Sequence, residues 1–159
     1  MNKILEILEN DARITPEKIA VMTGLTLEEV NKAIAEMEEE NIILGYKPIV
    51  NEDKVATDKV TALIELKVTP SAGEGFDAIA SRIYCYEQVR HLYLMSGAYD
   101  LAVFLEDTSL QKVARFVSER ISTFDGVLST ATHFILKKYK IEGVLTEKED
   151  ADRRNQIQV

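Results

Sequence analysis

With 159 residues, 19 basic against 27 acidic and a formal charge of −8, the chain is long enough for one large domain or two small ones. Its overall sign excludes a general polyanion binder, whether of nucleic acid or of anionic membrane. One cysteine, Cys85, leaves no intramolecular disulfide; no apolar run has the length of a signal peptide or of a membrane span, so a reducing cytoplasm is the expected compartment.

Residues 3 to 41 carry helical periodicity alone. Ile4, Leu5, Ile7 and Leu8 give a first helix to Asn10 a broad apolar face. Thr15-Pro16-Glu17 opens a second: threonine can accept from unpaired amides, proline has the φ of a first helical position, and glutamate meets the positive dipole end. Gly24-Leu25 makes a sharp turn, and Thr26 with Glu29 forms a capping box for a third helix faced by Leu27, Val30, Ile34 and Met37. Asn41, comfortable in the left-handed region, is the expected stop. Helices this short, with glycine in the second turn, predict a helix-turn-helix. Ile42 to Val50 follows as an extended segment in which Pro48 allows only a bend or an edge.

The polar stretch 51–59 reads as a linker. Beyond it Val60, Ala62, Ile64, Leu66 and Val68 alternate with Thr61, Leu63, Glu65 and Lys67 as a strand, and Phe76, Ile79, Ala80, Ile83 and Tyr84 recur at helical spacing. Val89 to Glu106 holds two alternating runs joined by Ser96-Gly97-Ala98-Tyr99-Asp100, a hairpin in which Gly97 is expected to supply positive φ. Leu110, Val113, Ala114, Val117, Ile121 and Phe124 mark another helix, broken by Asp125-Gly126, and Val127 to Lys138 reads as one long strand. From Lys140 on, charge and amides dominate, and 141–159 is expected to be a polar tail, partly helical at most.

The expected fold class is therefore α+β: a winged helix-turn-helix over 1–50, the linker 51–59, a ferredoxin-like βαββαβ domain over 60–140, then the tail. Two helices on one side of a sheet cannot cover Ala62, Ile64, Val103 or Leu105, Phe134 and Leu136 together, which predicts a homodimer built sheet against sheet.

Few residues carry chemistry. His91, His133 and Cys85 sit on different elements without paired ligand spacing, so no metal is expected. Ser96 and Ser129 lack an evident base, and Gly73-Glu74-Gly75 lacks the third glycine and the lysine of a phosphate loop. An enzyme is not expected, nor a cofactor. In the hairpin, Asp100 reads either as an Asx-type bond to nearby backbone or as a carboxylate for a ligand ammonium beside exposed amides.

Several local marks occur together in order: Asn10-Asp11-Ala12-Arg13-Ile14-Thr15, Gly24-Leu25-Thr26, Glu38 to Tyr46, Ser96-Gly97-Ala98-Tyr99-Asp100-Leu101, and Thr130-Ala131-Thr132 ahead of Leu136-Lys137. In this the chain resembles the Lrp/AsnC family of feast/famine transcription regulators, and the resemblance spans nearly its whole length. It implies a RAM/ACT-like second domain, double-stranded DNA as a partner, and an amino acid or related metabolite as effector. It also implies self-assembly to a homodimer or a higher oligomer such as an octamer, with no membrane partner. The implied effector residues are Gly97, Ala98, Tyr99 and Asp100, joined by Thr130, Thr132 and His133 of a neighbouring subunit.

The implied DNA contacts are Thr26, Asn31 and Lys32 on the third helix, with Arg13, Lys18 and Lys47 around it. Thr26 reads equally as a plain cap, and Asn31 and Lys32 as a solvated face. The helix departs from the family, which usually keeps basic residues at or near Ala33, Ala35 and Glu36. Lys32 is its one cation, and residues 1–56 hold six basic against 12 acidic residues. That is the wrong sign for the phosphate contribution that dominates non-specific affinity. Two expectations follow: an amino-acid-tuned, sequence-specific regulator with weak modules helped by multivalency, or an amino-acid-sensing or partner-binding oligomer with weak or lost DNA binding.

Overall fold

The structure is a computed structural model that describes residues 2–55, 58–70, 73 and 75–147. It divides into compact units, Met1–Val50 and Asn51–Val159.

In the first unit α1 (Asn2–Asn10), α2 (Pro16–Thr23) and α3 (Leu27–Glu39) close around buried Ile4, Leu8, Ile19, Val30 and Met37. Ile34 joins this core in part, whereas Leu27 stays exposed. Gly24, at φ 77°, caps α2 by donating to the Ala20 carbonyl at 2.8 Å, a left-handed turn that suits glycine. The Thr15 hydroxyl makes no cap bond, so Pro16 in the first turn is what starts α2. Thr26 and Glu29 form the full capping box. Asn41 takes φ 56°, and the Ile42 and Ile43 amides then share the Met37 carbonyl at 2.9 and 3.0 Å, ending α3. No strand pairing is recorded for residues 44–50.

In the second unit β1 (Val60–Val68), β2 (Val89–Leu94), β3 (Leu101–Asp107) and β4 (Val127–Phe134) form an antiparallel sheet in the order β2-β3-β1-β4. The helices α4 (Asp77–Tyr84) and α5 (Leu110–Glu119) pack on one face. Facing residues across antiparallel strands point the same way, so the register sorts every side chain. Ala62 faces Leu105 and Phe134, Ile64 faces Val103 and Thr132, and Leu66 faces Leu101 and Thr130. This is the helix-covered face, and Ile79, Ile83, Val113 and Val117 complete its core. The opposite face carries Leu63, Glu65 and Lys67, with Ala102, Phe104 and Glu106, Tyr93 and His91, and Ala131 and His133.

That sorting corrects the expected dimer surface. Ala62, Ile64, Val103 and Leu105 are fully buried under the helices and Phe134 packs with them, while Leu136 lies beyond the end of β4 and is exposed. The opposite set on β1, Thr61, Leu63, Glu65 and Lys67, holds one apolar residue, so the alternation itself marks Ala62, Ile64 and Leu66 as the covered face, and the register adds which residues of β3 and β4 share it. The open face is the alternate, mixed set around Leu63 and Phe104.

Other departures cluster at the carboxy-terminal end. β4 stops at Phe134, with a last bond from the Ile135 amide to the Thr61 carbonyl at 2.9 Å. The expected helix through Phe124 ends at Glu119 and tightens into a 3-10 turn, Ile121–Thr123. The start of the expected polar tail instead forms a small hairpin, β5 (Lys140–Ile141) with β6 (Val144–Leu145). Its two-residue turn puts Glu142 at φ 45° and Gly143 at φ 81°, the left-handed pair that matches strand twist. Residues 148–159 of that tail lie outside the described residues.

The expected linker is also partly structured. Glu52–Lys54 is a 3-10 turn; Asn51 Nδ2 donates to the Thr146 carbonyl at 2.6 Å, and Lys138 Nζ donates to Glu52 Oε2 at 2.6 Å. Lys138 and its charge hold the Glu52 carboxyl below its ordinary value.

Gly126 closes the turn into β4 at φ 91°, where an added Cβ would stand 2.9 Å from Ile79 Cδ1 and 3.1 Å from the Thr69 carbonyl oxygen. Strain and overlap act together there, so Gly126→Ala is expected to destabilise the chain by more than about 1 kcal/mol in urea unfolding.

Candidate functional site

The β2–β3 turn is anchored from outside the hairpin. The Met95 amide donates to the Asp100 carbonyl at 2.8 Å, closing a loop over Ser96, Gly97, Ala98 and Tyr99. The Asp100 amide donates to the Leu66 carbonyl at 2.9 Å, and Asp100 Oδ2 accepts from the Val68 amide at 2.9 Å. These bonds fall just past Leu66 and Leu101, where the β1–β3 ladder ends, so the carboxylate receives an amide that β3 no longer pairs. Among the described residues no partner is recorded for Oδ1. Asp100 is thus a structural clamp first, with one oxygen left for an incoming donor.

Gly97 differs from its expected role. Its φ is not left-handed, and a Cβ built there would meet nothing within 4 Å. The six-residue closure spreads the reversal over several residues, so no single one must adopt αL. What glycine leaves at this position is bare, exposed backbone.

The candidates on β4 are split by the pleat. Thr130 and Thr132 face the helix side, where Thr130 Oγ1 lies 3.4 Å from Ser122 Oγ, whereas His133 faces the open side. One strand cannot turn successive residues to the same site. Both threonines face strand positions running toward the Asp100 end, through Leu66 and Ile64. His133 Nε2 lies 3.4 Å from Glu65 Oε1. Sequence reasoning missed this pair and the neighbouring cluster of His91, Tyr93 and Phe104, whose rings lie 5.8 to 6.1 Å apart. The signal was available in the alternation Leu63, Glu65, Lys67. Two clefts of this unit, of about 280 and 310 Å³, border Lys59 at the other end of the sheet from the turn.

On α3 the Thr26 hydroxyl accepts from the Glu29 amide at 3.2 Å and donates to Glu29 Oε2 at 2.9 Å. The Thr26 amide also binds that oxygen, and these bonds hold the Glu29 carboxyl below its ordinary value. Thr26 is therefore a cap whose hydroxyl is already engaged. Asn31 and Lys32 are exposed, and Lys32 Nζ lies 3.7 Å from Glu36 Oε1, a solvated pair that a phosphate can displace at little cost. Ala33 packs toward the core, so of the three positions where basic residues are usual only Ala35 and Glu36 face solvent. Arg13, Lys18 and Lys47 are exposed as well.

The Lrp/AsnC ligand binding domain family matches residues 61–145, and the winged helix-turn-helix DNA-binding family matches residues 2–43. The chain belongs to the Lrp/AsnC family. A Bacillus subtilis relative, the uncharacterised HTH-type transcriptional regulator YugG, is 48% identical over 96% of this chain and 92% of its own. The regulator LrpA of Pyrococcus horikoshii is 31% identical over 86% and 94%. Among solved structures, the Mycobacterium tuberculosis leucine response regulatory protein LrpA shares the fold at TM-score 0.73 and 21% identity, covering 88% of this chain and 92% of that one. A Neisseria meningitidis transcriptional regulator solved with L-Met does so at TM-score 0.69 and 19% identity, covering 87% and 89%.

This Lrp/AsnC protein is accordingly a transcriptional regulator, not an enzyme, with a helix-turn-helix DNA-binding domain and a ligand-binding domain. Among the described residues no helix is long and apolar enough to cross a membrane.

Removing the Asp100 side chain leaves the Val68 amide without its acceptor, whereas asparagine keeps an oxygen there. Asp100→Ala is expected to cost about 1–3 kcal/mol in urea unfolding and Asp100→Asn less than half of that.

Proposed function

We propose that the protein is a cytoplasmic, sequence-specific regulator whose DNA affinity or oligomeric state is set by an amino acid or related metabolite bound at the Gly97–Asp100 turn. The observation that carries this reading is Gly97: its backbone torsions do not require glycine and its surroundings are open, so the residue serves access rather than the turn. Backbone amides beside it can receive an α-carboxylate while Asp100 Oδ1 takes the α-ammonium. The fold-related Neisseria regulator bound to L-Met supports an amino acid as the ligand class. Thr130 and Thr132 of a neighbouring copy are the remaining candidates to line the site. His133, on the other face, serves the sheet surface instead. The open face around Leu63 and Phe104 pairs with a second copy, giving a homodimer that assembles further, as to an octamer.

DNA is read by Asn31 and Lys32 on α3, whose start the Thr26 cap sets, with Arg13, Lys18 and Lys47 on phosphates. A second reading, a sensor with weak or lost DNA binding that works through partners, is favoured by the acidity of α3, where Glu36 answers the charge of Lys32.

In a fluorescence-anisotropy titration with its own upstream DNA, Lys32→Ala is expected to weaken binding and to reduce the log–log salt slope by about one unit. A wild-type protein with no salt-sensitive complex would favour the second reading. In a thermal-shift screen of the common amino acids, one should raise the wild-type midpoint. Gly97→Val should erase that shift while leaving unliganded stability within about 0.5 kcal/mol, since the position is exposed and uncrowded.

A further inference from the structure

The outer face of α3 is set by what its inner face buries. With Val30 and Met37 enclosed and Ala33 and Ile34 turned partly inward, the helical period places Glu28, Lys32, Ala35 and Glu39 opposite the core, with Asn31 and Glu36 beside them. The acids of this helix are engaged to different degrees. Glu29 closes the cap with Thr26, Glu36 lies 3.7 Å from Lys32, and Glu38 accepts from the Tyr46 hydroxyl at 2.9 Å. Glu28 stands four residues before Lys32, the spacing and order that suit an ion pair. The Lys32 ammonium turns to Glu36 instead, and among the described residues no hydrogen bond or ion pair engages Glu28.

We propose that Glu28 is a base-reading residue, accepting a hydrogen bond from the exocyclic amino group of a cytosine in the major groove and so fixing a C·G pair in the operator half-site. The inference rests on the reading of α3 as the helix that enters the groove. In a helix-turn-helix the amino-terminal residues of the second helix meet base edges. Glu28 is exposed in that first turn, on its outermost line, and the capping box of Thr26 and Glu29 holds the turn in place.

An ionised carboxylate only accepts hydrogen bonds. Phosphates repel it, and guanine N7 and O6 and thymine O4 offer it nothing but further acceptors. The donors in the major groove are the amino groups of cytosine and adenine. Adenine N6 lies between its own N7 and the O4 of the paired thymine, whereas cytosine N4 has the guanine O6 on one side and a C–H edge on the other. A carboxylate therefore meets least opposition at cytosine. Its charge weakens binding to every duplex, but least where that amino group stands, so a residue unfavourable for affinity is productive for discrimination.

The test is selection from randomised duplexes by the full chain, followed by anisotropy titration of the selected duplex, its single-pair variants and an unrelated duplex at one salt concentration. Circular dichroism confirms the fold of each variant. Wild type should return a fixed C·G pair and lose at least about fivefold in affinity when that pair is changed. Glu28→Ala should bind the unrelated duplex about twofold or more tightly and lose the preference at that pair alone. Glu28→Gln should exchange cytosine for adenine there, because a carboxamide donates to N7 while accepting from N6. Glu39→Ala, about three turns along the same face, should also tighten unrelated binding but leave the selected sequence unchanged. If Glu28→Ala selects the wild-type sequence with the wild-type ratio of specific to unrelated affinity, Glu28 is background charge and the assignment is overturned. A Glu39→Ala protein that loses the same pair overturns it too, since charge alone then suffices. A wild type that selects no sequence overturns the operator-reading regulator itself, and this assignment with it.

Discussion

β1 is bonded along both edges, to β3 through seven facing pairs and to β4 through seven more, so its register is decided twice and every other strand inherits it. Because side chains alternate, that single alignment sends Ala62, Ile64 and Leu66 under the helices and leaves Leu63 and Glu65 outside. The strand's pairing with β3 ends at Leu66 and Leu101, which leaves the Val68 amide needing an acceptor from elsewhere. Asp100 meets that need, and in doing so fixes the β2–β3 turn to the central strand. The place where a ligand is proposed to sit is therefore held by the stiffest part of the sheet, and disturbance at the turn is transmitted to β1 without a long intermediate chain.

The element order was legible in the sequence because periodicity and punctuation agree along most of the chain. Gly24, the Thr26 and Glu29 box, and Asn41 each state their backbone job through residue type alone. What stayed hidden depends on partners far away in sequence. The alternation of β1 names its covered face, since Thr61, Leu63, Glu65 and Lys67 hold one apolar residue, but which residues of β3 and β4 share that face follows only from the pairing. Gly97 invited a left-handed assignment that a longer loop makes unnecessary, and the clamp from Asp100 to Val68 spans 32 residues. The hairpin at Lys140–Leu145 was obscured by neighbouring charge, although Glu142-Gly143 between β-forming residues was a usable turn signal. The separation of Thr130 and Thr132 from His133 needed no structure at all, only strict use of the two-residue period.

The two units put unlike demands on electrostatics. The first must approach a polyanion with a helix on which Lys32 is paired to Glu36 and whose amino-terminal cap contains Glu29. Exposed ion pairs of this kind are weak, and opening one to contact a phosphate costs little, but it gains one charge only. On the proposed reading, affinity then comes from several modules acting together, which would make the strength of self-association a determinant of DNA occupancy. In the second unit Glu106 is answered by Arg90 and Lys59, an ion-paired cluster at the sheet end away from the turn.

The segment that enters the second unit is laced to the segment that leaves it. Asn51 holds Thr146, Glu52 holds Lys138, and the Thr146 hydroxyl closes the circuit onto the Lys138 carbonyl at 2.7 Å. Tension arriving along the chain at Asn51 is consequently divided between the first residues of β1 and the small hairpin that follows β4. The hairpin behaves as a strain relief, as a cable grip does, keeping a pull at residue 51 from peeling the central strand out of its ladder from its free end.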